Sequence, residues 1–252
     1  MYKSWITFIG VFILLASCSS EEKKTEQNQE LPPPKEMFLD KNAEEILDKL
    51  TSKIGELNSC SFTLHSAELE AGDTVFQPTK EFDIYFSDSN KLHLHCRAID
   101  KEYGVWYNGS SLESYNYLNH TYDSLSAPSS TLGMITKLNE EKGLKFPAAD
   151  FFYPTLTDDL IQFSDSIIYL GDTTILEVPL DVILAKNKET DVYIFINKNE
   201  NLPGGLFIRY NATGEKYKSM FKNWQLDPKL PESMFEFSPP ADAVNEPLKK
   251  LS

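Results

Sequence analysis

A change in hydrophobic period near residue 58 is the feature that most constrains how this chain can fold. Before it, five apolar residues recur at the spacing of one face of a helix, namely Ile46, Leu47, Leu50, Ile54 and Leu57. After it, apolar and polar residues alternate in about six short runs separated by turn residues. Sequential strands with short turns predict an antiparallel meander that follows one helix.

A second block of strands follows a helical insertion at about 128–164. Two prolines, Pro128 and Pro147, open helical patterns in the insertion, and alternation resumes at Ser166 for about five further strands. Two separate domains would each leave a sheet face uncovered. We therefore predict an α+β fold with a single long, strongly curved antiparallel sheet of about 11 strands and helices packed on its concave face.

The N-terminus carries an export pattern. Lys3 precedes an apolar run at 5–15, which is typical of a signal peptide and shorter than the ~20 residues that span a bilayer. The tetrapeptide LASC at 15–18 resembles the lipobox of bacterial lipoproteins. That resemblance implies a signal peptide at 1–17 and acyl chains on Cys18, which would then be the lipid attachment residue.

Residues 18–36 are expected to connect this anchor to a domain at 37–252. The segment after Cys18 is polar and ends in three prolines, so it predicts a flexible linker that holds the domain roughly 20–25 Å from the anchor. The whole chain has a formal net charge of −14. Such a charge argues against nucleic acid and against adhesion to anionic headgroups, so membrane attachment is expected through the acyl chains.

No pattern of catalytic residues emerges, and we predict neither an enzyme nor a cofactor. There is no nucleophile elbow and no phosphate-binding loop. His93 and His95 share a face of one strand, but a metal site needs a third ligand and supporting contacts, so we predict no metal. Cys60 and Cys96 fit either a disulfide or two buried thiols; the thiols are favoured because the two residues are not placed on neighbouring strands.

Aromatic residues are more numerous than a thin core requires, and two interpretations remain open. They line a cavity for an apolar ligand, or they fill the core under the curved sheet. The sharpest local feature is three consecutive aromatics at 151–153, which cannot all face inward on one short helix. The candidate cavity lining is Trp106, Tyr115, Phe151, Phe152, Tyr193 and Phe207.

Three stretches carry a resemblance to a known family. They are LNSCSF at 57–62, PAADFFY at 147–153, and the closing stretch at 224–241, where a strand is followed by a proline-bounded turn and then Phe-x-Phe-x-Pro-Pro. The chain resembles a family of uncharacterised predicted periplasmic proteins, a domain of unknown function. That family shares its fold with the lipoprotein carrier LolA and the receptor LolB, and the resemblance covers about residues 41–241.

The resemblance implies an unclosed β-barrel whose concave side is plugged by helices. In the carriers, the cavity there holds the acyl chains of a lipoprotein, although fold alone does not transfer function. We expect a non-enzymatic outer-membrane lipoprotein of the bacterial envelope, facing the periplasm or the cell surface, that binds a lipophilic ligand or an acylated protein. The alternative is a sensor or protein-interaction module whose core is filled by its own side chains. The oligomeric state and the ligand do not follow from the sequence.

Overall fold

The computed structural model of the 252-residue chain describes residues 37–142 and 146–247. The signal peptide, Cys18 and the linker predicted above lie outside these residues. The described helices are α1 (Lys41–Gly55), α2 (Thr131–Lys142) and α3 (Leu156–Phe163), with two short 3₁₀ helices at Ala149–Phe152 and Glu232–Phe235. The strands are β1 (Phe38–Leu39), β2 (Ser59–Leu69), β3 (Lys80–Ser87), β4 (Lys91–Arg97), β5 (Glu102–Tyr107), β6 (Ser111–Asn116), β7 (Thr121–Ser126), β8 (Ser166–Ile175), β9 (Val178–Lys186), β10 (Thr190–Asn197), β11 (Leu202–Tyr210), β12 (Lys216–Leu226) and β13 (Val244–Asn245).

All thirteen described strands belong to one sheet, in the order β1-β8-β9-β10-β11-β12-β2-β3-β4-β5-β6-β7-β13. Strands β2 to β12 pair antiparallel, while the two-residue strands β1 and β13 pair parallel to β8 and β7 at the sheet edges. The pairing of β12 with β2 joins the two strand blocks into one surface. The predicted α+β fold with a single long sheet is therefore confirmed, and the two edge strands account for the difference from about 11.

Helix α1 forms where the helical spacing predicts it. The Asp40 side chain accepts a hydrogen bond from the backbone N–H of Asn42 at 2.8 Å and caps the first turn. Its buried stripe, Ala43, Leu47, Leu50 and Ile54, packs into the main core on the concave face. Helix α2 and the segments after it add Met134, Ile135, Leu138, Phe151 and Leu156 to the same core.

One strand boundary differs from the sequence expectation. Gly171 to Thr174 read as turn-like, but β8 continues to Ile175 and turns only at Leu176 and Glu177, both of which have positive φ. Tyr169 pairs with Ile183 and Gly171 with Val182, so Leu170 is the extra residue of a bulge, and Gly171, with φ of +102°, follows it without ending the strand.

Candidate apolar site on the concave face

A cavity of about 240 Å³ lies on the concave side of the sheet, between the end of α1, the start of β2, the β3–β4 turn and the start of α2. Its volume is somewhat below the roughly 300–1,000 Å³ of typical small-molecule sites. The lining residues are Ile54, Leu57, Asn58, Ser59, Cys60, Phe86, Asp88, Ser89, Ser130, Thr131, Leu132 and Phe152.

Aromatic rings build the deep wall of this pocket. The Phe152 ring lies 4.4 Å from Phe86 and 5.9 Å from Phe62, measured between centroids. Phe62 in turn packs 5.3 Å from Phe221 and 4.4 Å from Trp224. Phe152 therefore joins the pocket surface to a continuous aromatic cluster in the core.

A bulge in β12 turns Trp224 toward that cluster. Phe221 pairs with Leu64, whereas Gln225 pairs with Ser61, so β12 carries one residue more than β2 over this interval. Asn223, at φ of +55°, takes up the extra residue. As a result Trp224 stacks on Phe221 at 5.7 Å, and its Nε1 donates to the carbonyl oxygen of Pro203 at 3.1 Å.

One polar group in the pocket wall has no partner among the described residues. Thr131 opens the 12-residue helix α2 and is buried, and its Oγ1 makes no hydrogen bond there. The Thr131 backbone N–H donates to the Ser89 carbonyl, while the Ser130 hydroxyl accepts from the N–H of Gly133. A buried unpaired hydroxyl costs about 1–3 kcal/mol, and because this Oγ1 has almost no exposed surface, a ligand oxygen would recover a hydrogen bond only after a local opening of the pocket wall.

Cys60 and Cys96 are free thiols. Both are buried, and β3 separates Cys60 on β2 from Cys96 on β4. Burial, together with the nearby charge of Asp227, raises the pKa of Cys60 to about 12. The thiol in the pocket wall is therefore neutral and behaves as an apolar group.

The structure divides the six candidate aromatics between the two faces of the sheet. Phe152 lines the pocket, and Phe151 lies in the concave core, edge-on to Phe221 at 5.3 Å. The other four lie on the convex face. Trp106 and Tyr115 alternate with the concave residues Val105 and Leu112 along their strands, and Tyr193 pairs with Phe207 across β10 and β11, with 5.7 Å between their rings.

A C-terminal strap, residues 231–245, covers the convex face of β4 to β7. Phe237 in the strap packs 4.8 Å from Trp106 and 5.7 Å from Tyr115, and Phe235 is fully buried. Polar contacts tie the strap at two points: Lys91 forms an ion pair with Glu232 at 2.7 Å, and His120 Nδ1 lies 2.7 Å from the Asp242 carboxylate. Strand β13 then pairs with β7 at the sheet edge.

Both histidines of β4 make polar contacts on this convex face. His93 Nδ1 lies 2.7 Å from the carbonyl oxygen of Met234, and His95 Nε2 lies 3.0 Å from Glu102. Burial under the strap lowers the pKa of His93, although the contact with the Met234 carbonyl opposes this. Within residues 37–142 and 146–247, no group of three or more His, Cys, Asp or Glu is arranged to hold a metal ion.

The arginines of the sheet also form convex ion pairs. Arg97 contacts Glu81 at 2.6 Å and also binds Asp83, and Arg209 binds Asp191. Burial alone would raise the pKa of Asp83, but hydrogen bonds from Arg97 and Thr63 outweigh it and lower that pKa. Neither arginine reaches the helices on the concave side through these contacts.

Sequence reasoning missed most of the pocket wall. Phe62 and Phe86 were visible in the strand alternation, and their concave positions follow from it. Trp224 had no such signal, because its face depends on the bulge at Asn223. The place of Thr131 depends on how the start of α2 meets the β3–β4 turn, which is a tertiary contact.

Several solved structures are similar to this chain at low sequence identity. An uncharacterised conserved protein from Thermus thermophilus superposes with a TM-score of 0.50 at 9% identity, over 82% of this chain and 100% of that one. A LolA superfamily protein from Nitrosomonas europaea gives 0.39 at 10% identity, over 77% and 97%. The Pseudomonas aeruginosa MucA/MucB complex gives 0.43 at 12% identity, over 78% of this chain but only 61% of that chain.

The sequence comparisons give one family. The family described as "Predicted periplasmic protein (DUF2092)" matches residues 43–246. No curated protein matches the chain. In the part of the chain that the structure describes, the helices are too short or too polar to cross a membrane.

Proposed function

This chain belongs to the DUF2092 family of predicted periplasmic proteins, and on that premise we propose that it binds a single acyl chain in the concave pocket. The ligand is a lipophilic molecule or the acyl group of an acylated protein, and the activity is non-enzymatic. The protein itself is held in the envelope by acyl chains on Cys18, as an outer-membrane lipoprotein.

The observation that carries the proposal is the combination of apolar walls with one unpartnered hydroxyl. Phe86, Phe152 and Leu132 offer surface to a hydrocarbon chain. Thr131 lies beside them at the start of α2, where its Oγ1 lacks a partner among the described residues and the helix dipole favours negatively polarised groups. This arrangement suits a carbonyl or carboxyl oxygen near Thr131 with its chain along the aromatic wall.

The size of the pocket limits the ligand. A cavity of about 240 Å³ holds part of one acyl chain and excludes a bulky lipid with several chains. A longer chain would require α2 to move away from the sheet.

The direct test is native mass spectrometry of the chain from Ser19 to Ser252, which keeps every described residue and lacks the acylated cysteine. We expect a bound lipid, or displacement of a fluorescent fatty acid from the purified protein. A clean apo mass together with no binding of the fluorescent fatty acid would contradict the proposal.

The substitution Thr131→Val tests how the ligand is held. It keeps the side-chain shape and removes the hydroxyl, so fatty-acid affinity should fall about tenfold, as expected for one hydrogen bond of roughly 1–1.5 kcal/mol. The free energy of unfolding of the apo protein should be unchanged or higher, since an unsatisfied buried group is removed. The measurements are fluorescent fatty-acid titration and urea denaturation.

Thr157→Val is the matched control for Thr131→Val. Thr157 is also buried, but its Oγ1 lies 3.4 Å from that of Thr51. Its substitution should lower stability and leave fatty-acid affinity unchanged. Equal effects of the two substitutions on fatty-acid affinity would show that the Thr131 hydroxyl does not bind the ligand.

A second candidate function is a sensor or protein-interaction module whose core is filled by its own side chains. The observation that favours it is the filled concave core, in which Phe151, Met134 and Leu138 already occupy the space under the sheet. A protein that purifies free of lipid and does not bind fatty acid would support this function over acyl binding.

A further inference from the structure

Exposed apolar residues concentrate at one end of the sheet. The β2–β3, β4–β5 and β6–β7 turns are neighbours at that end, as their pairing registers show. Each presents an exposed aliphatic side chain: Val75 is 74% exposed, Ile99 84% and Leu118 61%. Three further exposed residues lie at the same end: Phe38 on β1, Tyr117 next to Leu118, and Val244 on β13.

The register of the sheet places these residues at one end, which we call the tip rim; the polar β9–β10 and β11–β12 turns, at 187–189 and 211–215, also lie at this end, between Phe38 and Val75. Phe38 pairs with Ser166 at the start of β8, and Val244 pairs with Thr121 at the start of β7. Six of the ten large hydrophobic residues exposed in the described part of the chain therefore lie at the tip rim. Single exposed apolar residues are ordinary on a protein surface, but a set gathered on adjacent turns indicates a contact surface.

The chain enters the described domain at the same end. Strand β1 runs parallel to β8, and Phe38 is opposite the first residue of β8, so the described part of the chain begins at the tip rim. In the sequence, those residues are the polar segment that follows Cys18. A domain whose first described residue lies at this end is attached to any N-terminal anchor from this end, which favours contact between the tip rim and the surface that holds the anchor.

We propose that the tip rim is a lipid-contacting surface, in which Val75, Ile99 and Leu118 insert into the membrane interface. The charges on the turns do not supply an attraction to anionic lipid. Asp100 and Lys101 offset each other beside Ile99, and Glu70 and Asp73 flank the turn of Val75. Insertion is therefore driven by apolar area, and it takes place equally in zwitterionic lipid and in high salt.

The position of the tip rim determines which way the pocket faces at the membrane. Asn58, Phe86 and Ser89 line the pocket at the opposite ends of their strands from the tip rim. When the tip rim touches the membrane, the pocket faces away from it. A ligand then reaches the pocket from the aqueous side.

The experiment uses the chain from Ser19 to Ser252 with an N-terminal hexahistidine tag, tethered to phosphatidylcholine vesicles that contain a nickel-chelating lipid. This tether replaces Cys18 acylation, so the result does not depend on that modification. A single environment-sensitive fluorophore is attached at Ile99→Cys or at Leu176→Cys. Leu176 is the matched control, since it is 72% exposed on a turn at the opposite end of the sheet.

We expect a blue shift and quenching by spin-labelled lipid at position 99 and neither at position 176. Cys60 and Cys96 are buried and stay unlabelled. Equal quenching at both positions, or none at position 99, would overturn the proposal. A signal at position 99 that requires anionic lipid or disappears in high salt would also overturn it.

Substitutions test the apolar contribution on vesicles without the tether. Each of Val75→Ser, Ile99→Ser and Leu118→Ser should lower the vesicle partition coefficient several-fold and up to about tenfold. Leu176→Ser should leave it unchanged. Fatty-acid binding by the same variants should be unaffected, so failure of the rim proposal and failure of the pocket proposal can be told apart.

Discussion

Two aromatic clusters lie on opposite faces of the same sheet, and they are closed in different ways. On the concave face, Phe62, Phe86 and Phe152 are covered by helices and border a cavity. On the convex face, Trp106 and Tyr115 are covered by the C-terminal strap. An abundance of aromatic residues therefore does not by itself indicate a ligand cavity. The segment that covers the rings determines whether they border a cavity or are closed by packing.

The two covers differ in how they are held. The helical cover packs through apolar side chains such as Leu50 and Met134. The strap is held by directional contacts, including the Lys91–Glu232 ion pair, the contact of His93 with the Met234 carbonyl and the pairing of β13 with β7. The strap therefore adds directional polar contacts to the apolar packing of Phe235 and Phe237, whereas the contacts of the helical cover with the sheet are mainly apolar.

The largest effect is expected from Phe62→Ala, at the centre of the concave cluster. Phe62 packs against the rings of Phe86, Phe152, Phe221 and Trp224. Its removal should lower the free energy of unfolding of the whole domain by about 3–5 kcal/mol, as for other buried Phe→Ala changes. Urea denaturation measures this, and Phe207→Ala, on the uncovered convex face, should cost far less.

A smaller and more local effect is expected from Phe235→Ala in the strap. Phe235 is fully buried, but it packs outside the main core. The substitution should free the strap and speed amide exchange in residues 234–246, while exchange in β2 and fatty-acid affinity stay as in the native chain. A loss of protection in β2 equal to that in the strap would show that the two faces unfold as one unit.

The same comparison explains how much could be predicted from the sequence. Alternation placed Phe62, Phe86 and Cys96 on one face of the strands and His93 and His95 on the other, because the side-chain period of a strand is two. The antiparallel order followed from the short turns. These features depend on local geometry alone.

The division of the candidate aromatics could not be predicted in the same way. Trp106 and Tyr115 are large and apolar, so their burial was expected, but the sequence does not say that the distant C-terminal segment folds back over them. Trp224 reaches the concave face only through the bulge at Asn223, and Thr131 joins the pocket only through its contact with Ser89. Each depends on contacts between segments that are distant in sequence.

The smallest expected effect is a pH dependence of strap opening, which the helical cover should not share. His93 lies under the strap, edge-on to Trp106 at 5.0 Å and to Tyr85 at 5.7 Å, with His95 and Asp83 as its titratable neighbours. Burial lowers the pKa of His93 below its ordinary value of 6.5. A strap that is open therefore binds more protons than a closed one below about pH 6.5.

The strap should consequently loosen as the pH falls through about 6.5, and the loss should level off below the pKa of His93 in the closed form. Above this pH range, the contribution of neutral His93 to the stability of the closed strap is fully present. Hydrogen exchange of the Val244 and Glu246 amides, which donate to the carbonyls of His120 and Tyr122, reports this opening after correction for the intrinsic rate. His93→Gln should flatten the pH dependence, whereas exchange at Leu64 on the concave face should show none; a dependence that persists in His93→Gln would assign the effect to another group.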